Sequence, residues 1–456
     1  MTEPKTKHVV VVVGGAVAGS EAASQLVRQG VACVVLEQNA HPYGKIDDGL
    51  PRWHEKLRLQ EMCKIDDKLS HPDVHFVPNI RVGVDLPLEE ILDWGVSAVI
   101  LANGSWRDRA LPLPGIEKFI GRGFYYQNAY VHIFNHYPDA SYQGPQLEVA
   151  DGALVVGGGL ASLDVVKIIM LESTVRALAR HGKQVGLIEL EQQGILAGLR
   201  DLNLTLRDLN LKGCTLIYRR QVEDMPLAQA EENATEEQMQ RTRATRRKLF
   251  ENFARKYLFR FQAQRTPVGF LAEDDRCTGL RLAATQAGEK RLTIVPGSEE
   301  AFPSPLVVSS IGSIPEPIPG IPLEGELYRV KDDASGEVDG MERVFAIGNA
   351  VTGKGNILVS RRHGRVVSQY MLENYLMGTG SGYEEVLGNA VGESAARVKA
   401  VGRHLMTQSP LGGGQVSAIL GRVRALQERV GYPGSYQSWI RRVYPEGHSP
   451  EQSTTA

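Results

Sequence analysis

The stretch "VVVVVGGAVAGSEAASQLVRQGVACVVLEQ" (Val9–Gln38) decides the fold. Val9 to Val13 is an unbroken β-branched run, as a central parallel strand buried on both faces requires. Gly14 and Gly15 supply the tight turn, and Gly19 lets the following helix approach the strand closely. The spacing predicts a helix from Val17 to Gln29, closed by Gly30, and a second strand from Val31 to Leu36. Glu37 stands at the tip of that strand, where a carboxylate accepts hydrogen bonds from ribose hydroxyls. Ala16 occupies the place of the middle glycine of G-x-G-x-x-G. Its single methyl still lets a pyrophosphate dock.

A second unit follows in "GALVVGGGLASLDVVKIIM" (Gly152–Met170), again strand, glycines, helix. Gly157 and Gly159 take the first two glycine places, and Ser162, after Leu160 and Ala161, takes the third. Two dinucleotide units in one chain predict two cofactors, a flavin and a nicotinamide. "CTLIYRRQVEDMP" (Cys214–Pro226) supplies a strand ending in Arg219 and Arg220. Paired guanidinium groups at a strand tip suit a 2′-phosphate, hence NADP(H). The rival reader of that ribose is Glu189, at the end of "QVGLIELE".

The chain has 456 residues, more than one simple core, so two or three domains are expected. Its formal net charge of −2 argues against wholesale nucleic-acid binding. None of Cys33, Cys63, Cys214 and Cys277 forms a C-x-x-C pair, which argues against a redox disulfide, a zinc knuckle or a cysteine-held cluster. Sparse cysteines, a polar N-terminus running straight into a strand, and no long apolar run suit a cytoplasmic chain with no membrane span and no metal.

These motifs resemble the adrenodoxin-reductase type of ferredoxin–NADP reductase, and are similar to the flavin-bearing small subunit of glutamate synthase. The likeness runs from about Val9 to Trp439, with an unusual stretch near 172–213. "YRRQVEDMPLAQAEE" looks like the NADP-phosphate segment of the glutamate synthase type. "YGKIDDGLPRWHEKLR" (Tyr43–Arg58) and "RVFAIGNAVTGKGNILVSRRHG" (Arg343–Gly364) look like flavin-side segments.

The resemblance implies an α/β fold of two Rossmann-like domains. An NADP-binding domain (105–325) is inserted into a discontinuous FAD-binding domain (1–104 and 326–456). "LANGSWRDRALPLPG" (Leu101–Gly115) and "LVVSSIGSIPEPIPGIP" (Leu306–Pro322) are then the outward and return crossings. FAD would meet Gly14, Gly15, Ala16, Gly19, Glu37, Gln38, Gly44, Lys45, Val82, Ala102, Asn103, Gly104, Gly348, Asn349, Gly355, Asn356 and Ile357. A helix beginning near Gly353–Asn356 would aim its amides at the flavin. His54 matches a histidine near the flavin, and Glu231 a glutamate near the nicotinamide, placed to orient it or manage protons. Asn103 and Asn349 stand where relatives often carry threonine and aspartate, and an amide still hydrogen-bonds a hydroxyl.

The implied activity is hydride transfer from NADPH to FAD and onward electron transfer to a small acidic ferredoxin-like carrier. Two other readings accompany it: an electron-input subunit of a larger enzyme, and a catalytically weak, redox-responsive flavin-binding module. "RTRATRRKLFENFARK" (Arg241–Lys256) reads first as a solvated helix. Read more sharply, it is a docking surface for the carrier, helped by Arg361 and Arg362.

Overall fold

The computed structural model describes residues 7–140, 142–227, 234–288, 292–332, 334–352 and 381–444, without side chains at 381–391 and 393. Glu231, Gly353, Gly355, Asn356, Ile357, Arg361 and Arg362 lie outside the described residues.

The valine run is strand β1 (Val9–Val13), every residue buried. Helix α1 (Val17–Val27) and strand β2 (Ala32–Leu36) follow. The helix ends two residues short of Gln29 because Gly30 turns the chain with φ +82°. With β3 (Val74–Val77), β4 (Ala98–Leu101) and β10 (Val344–Ala346) they form a sheet of order β10-β4-β1-β2-β3, parallel throughout. Chain order reverses on either side of β1. Loops leaving β1 and β4 therefore part company at their carboxyl ends and open a crevice there, the switch point at which such sheets take ligands.

The second sheet repeats the plan. It is built from β5 (Phe124–Tyr126), β6 (Leu154–Gly157), β7 (Thr215–Ile217), β8 (Arg260–Gln262) and β9 (Val307–Ser310), ordered β5-β9-β6-β7-β8. All four pairings are parallel, and β6, the glycine-ended strand, is central. Chain leaves the first sheet after β4 and returns before β10 through neighbouring strands: Arg107–Asp108 pairs antiparallel with Ser313–Ile314.

Sequence periodicity did not reveal an antiparallel ribbon over the second sheet. Arg265–Glu273 pairs with Arg276–Ala287, which also pairs with Glu300–Pro303. Leu280 and Leu282 bury against Phe124, Leu154 and Val307. The 172–213 stretch is helical where it is regular. Helix α4 (Leu160–Arg180) runs on into it, followed by α5 (Leu187–Gln193) and α6 (Ile195–Asp201). A buried ion pair, Lys167–Glu191, ties α5 to α4. The Lys167 ammonium also lies 4.3 Å from the Trp53 ring centre.

The basic segment is helix α7 (Glu236–Tyr257), started by a capping box at Thr235 and Gln238. Leu249, Phe250, Phe253 and Tyr257 face the core. Most of its named cations have local partners: Arg241 pairs with Glu237 and Arg243 with Glu236, while Arg246 Nη1 donates to the Glu223 carbonyl and Arg247 pairs with the Glu223 carboxylate. The solvated-helix reading accounts for these contacts, and Arg246 and Arg247 serve to hold the turn that follows β7. Among the described residues no helix is long and apolar enough to cross a membrane.

Candidate dinucleotide sites

At the end of β1, Gly14 adopts φ +99°, and a Cβ there would stand 2.7 Å from the Ala102 carbonyl oxygen. A Cβ on Gly19 would stand 1.8 Å from the Gly14 carbonyl oxygen, so helix and turn touch backbone to backbone. Ala16 is the N-cap of α1 and offers no side-chain hydrogen bond, which leaves the first-turn amides for a ligand. Its methyl is accommodated by a second glycine: a Cβ on Gly44 would lie 2.8 Å from the Ala16 Cβ. The alanine in the motif is thus matched by Gly44 across the cleft.

Glu37 is buried at the tip of β2. Its Oε2 accepts from Gly15 N at 2.8 Å and its Oε1 from Asn39 N at 2.9 Å. Burial pushes its carboxyl up to about 7, against the pull of those amides. Each carboxylate oxygen keeps a second lone pair for a ribose hydroxyl. A carboxyl raised in the folded state contributes stability that is complete below its ordinary pKa and is lost as pH rises through the folded value. Between pH 4.5 and about 7 the flavin-free protein should therefore lose stability, and Glu37→Gln should flatten that loss. Urea midpoints across this range check it; equal slopes in both proteins would show that Glu37 does not titrate there.

A cleft opens beside this turn, lined by Gly14, Ala16, Glu37, Gln38, Gly44, Val82, Ala102 and Asn103 among the sequence-predicted residues. Sequence reasoning missed its far wall, Arg81 and Glu316–Pro319, and Trp106. No motif marks those residues; they arrive from a loop after β3 and from the outward and return crossings. Asn103 Nδ2 donates to Tyr328 Oη at 3.0 Å, while Tyr328 Oη donates to the Glu316 carbonyl at 2.8 Å. The tyrosine proton is thereby used, so the amide must donate, and Asn103 Oδ1 is left buried with no partner among the described residues. A buried carbonyl oxygen without a donor is costly and marks a place for a ligand hydrogen bond.

Other predicted residues surround the cleft. Gly104 takes φ +64° just after it. Lys45 Nζ donates to Ser313 Oγ at 3.1 Å, joining the flavin-side segment to the return crossing. Gly348, φ +63°, would set a Cβ 3.1 Å from the Ala18 Cβ, and Ser105 Oγ donates to the Asn349 carbonyl at 2.9 Å. The structure thus brings the start of the late segment to the amino end of α1. His54 is not among the cleft's side chains. It ends a short 3-10 turn, Arg52–His54, with its ring 6.1 Å from that of Trp53. Burial, then the nearby Lys167 and Arg58 charges, push its imidazole down to about 3. It is neutral at physiological pH.

The second loop is equally tight. A Cβ on Gly157 would lie 2.3 Å from the Ser310 carbonyl oxygen and 2.8 Å from the Ser162 Cβ. Ser162 Oγ donates to the Gly159 carbonyl at 2.5 Å, closing the first turn of α4. Gly159 is the N-cap, and the helix begins at Leu160 and Ala161. The Tyr218 ring covers Gly158, where a Cβ would come within 2.2 Å of it. The strand beside β6 is β7, and Arg219 and Arg220 follow just past its end. Both are exposed. Glu189 is instead an exposed residue in the first turn of α5.

Two parallel sheets, each with a glycine turn and helix after its central strand, define the fold of flavoproteins with two dinucleotide-binding domains. A Mycobacterium tuberculosis structure, "FprA in complex with NADPH", shares it with a TM-score of 0.60 and 19% identity, over 92% of this chain and 91% of that one. No protein-family model matches the chain. It is 24% identical over 349 residues to "NADPH:adrenodoxin oxidoreductase, mitochondrial" of Arabidopsis thaliana, covering 69% of each. It is 24% identical over 374 residues to "NADPH-ferredoxin reductase FprA" of Mycobacterium leprae, covering 76% of this chain and 79% of that protein. Glutamate synthase small chains are also among its homologues.

Proposed function

We propose that this chain is an FAD-dependent NADPH oxidoreductase that hands electrons to a ferredoxin-like carrier. One observation carries the reading: two central strands end in glycine turns, and the neighbouring strand tips bear opposite charge, Glu37 in the first and Arg219–Arg220 in the second. A carboxylate suits free ribose hydroxyls and excludes a 2′-phosphate; a double arginine does the reverse. The proposed FAD unit comprises residues 1–104 and 326–456, and the NADP unit 105–325.

The residues at the first site fit FAD. A Cβ at Gly14 or Gly19 would clash with the backbone that forms the turn, Glu37 is placed for a ribose, and Asn103 Oδ1 lacks a donor among the described residues. The α1 amides would hold the pyrophosphate. When bound, FAD supplies the conversion between a two-electron hydride donor and a one-electron acceptor. In the second unit, the α4 amides would hold the NADPH pyrophosphate while Arg219 and Arg220 grip its 2′-phosphate. His54 and Glu231 would orient the nicotinamide, with His54 neutral. The protein's part is alignment and the exclusion of water.

All four cysteines are free, and Cys33, Cys214 and Cys277 are buried. Burial pushes the Cys214 thiol up to about 12, far from reactive. A dithiol relay within the chain therefore has no support, and electrons leave from the flavin itself. The names of two relatives, an adrenodoxin oxidoreductase and a ferredoxin reductase, support a carrier of that type as acceptor. The small-chain homologues favour a second reading, electron input to a partner enzyme.

The test is anaerobic. Purified protein should carry non-covalent FAD, bleach with NADPH, and reduce ferredoxin in a cytochrome-coupled assay. Protein that takes up no FAD on reconstitution overturns the cofactor assignment. Stable flavin without hydride uptake points to the binding-module reading, and transfer to ferricyanide but to no ferredoxin defeats the carrier assignment.

A further inference from the structure

Away from both glycine turns, Asp48, His132 and His136 converge. The two histidines stand one turn apart on α3 (Gln127–His136), so H-x-x-x-H puts both rings on one face. His132 Nδ1 lies 2.9 Å, and His136 Nε2 3.3 Å, from the same oxygen, Asp48 Oδ1. One ligand atom from each of the three falls within 4.8 Å of the other two. Around a tetrahedral zinc with bonds of about 2.0–2.2 Å, ligand atoms stand roughly 3.3–3.6 Å apart. Small side-chain shifts bring this cluster to that spacing.

The surroundings are those of a ligand set. His136 turns its other nitrogen, Nδ1, toward Asp139 Oδ2 at 3.5 Å. A carboxylate behind a metal-bound imidazole fixes its tautomer and raises its basicity. Tyr142 stacks on the same ring at 25° and 6.3 Å, restraining its rotation. The His132 side chain is 46% exposed, which leaves an entry path and room for a water in the fourth position.

We propose that Asp48, His132 and His136 bind a divalent first-row transition cation, zinc above all. Two imidazoles and a carboxylate are the donor set that such ions prefer over magnesium or calcium. The ion clips the two units together. Asp48 ends the short helix Lys45–Asp48, whose N-cap Gly44 lines the first cleft, while α3 follows β5 of the second sheet. The contact is already prepared there: Asn135 Nδ2 donates to the carbonyls of Asp47 and Leu50, each at 2.9 Å. This proposal does not depend on the redox reading.

The test is calorimetric titration of the tag-free protein, as purified, with zinc chloride, paired with thermal melts. One zinc per chain should bind saturably and raise the melting temperature. His136→Ala and His132→Gln should abolish both effects, whereas His71→Ala, remote in sequence and exposed, should leave them. Asp139→Asn, which spares the three ligands, should weaken binding roughly tenfold. Wild-type protein that takes up no zinc overturns the proposal. So does zinc binding that survives unchanged in both histidine variants.

Discussion

Arg219→Ala and Arg220→Ala should each raise KM for NADPH by about ten- to a hundredfold, the worth of one charge-assisted hydrogen bond of roughly 1.5–3 kcal/mol. Reduction by NADH should stay close to wild type, because only NADPH carries the 2′-phosphate. The structure makes these clean substitutions. The turn is held through its backbone: Thr285 Oγ1 donates to the Arg219 carbonyl at 2.7 Å, and Gln264 N to the Arg220 carbonyl at 3.2 Å. Among the described residues neither guanidinium has an ion-pair partner, so truncation removes ligand contacts and spares the fold. Steady-state kinetics with both nucleotides decides the matter. NADH preference, with indifference to both changes, would restore Glu189 as the ribose reader despite its place on a helix.

Gly19→Ala should abolish FAD retention and lower the melting temperature. Its Cβ would stand 1.8 Å from the Gly14 carbonyl oxygen and 2.9 Å from the Gly14 carbonyl carbon. Both are backbone atoms, so no rotamer relieves the clash. Helix α1 must lift from β1, carrying away the amides that face the pyrophosphate. The cost belongs at or above the upper end of the roughly 1–3 kcal/mol typical of overpacking. Gly30→Ala is the control. It carries left-handed strain at φ +82° but has nothing within 4 Å of the added methyl, so it should keep its flavin. Flavin content after gel filtration and thermal melts measure both; a Gly19→Ala protein that stays yellow with an unchanged melting temperature would falsify the cradle assignment.

Sequence alone was enough for whatever depends on neighbours along the chain. A five-valine run reads as a doubly buried strand, glycines one to six residues later as the turn and the helix contact, and Glu37 as the tip of the next strand. Each follows from backbone sterics and side-chain periodicity over a few residues. The same logic placed β6, α4 and β7, and with them the α/β class, although β7 stops at Ile217, two residues before Arg219. In "QVGLIELE" that logic could not choose, because a short apolar run serves strand or helix equally well. There the choice went to helix α5, whose Leu190 and Glu191 are buried, the carboxylate paired with Lys167.

What only the tertiary structure decided lies far apart in sequence. Gly44 makes room for the Ala16 methyl, Tyr328 uses its proton on Glu316 and strands the Asn103 oxygen, and Glu316–Pro319 close the cleft from a distant crossing. Asp48 meets His132 and His136 across more than eighty residues of chain. No local pattern announces such meetings, because their geometry is set by sheet order and by how the two units pack, which emerge only when the buried faces are satisfied together.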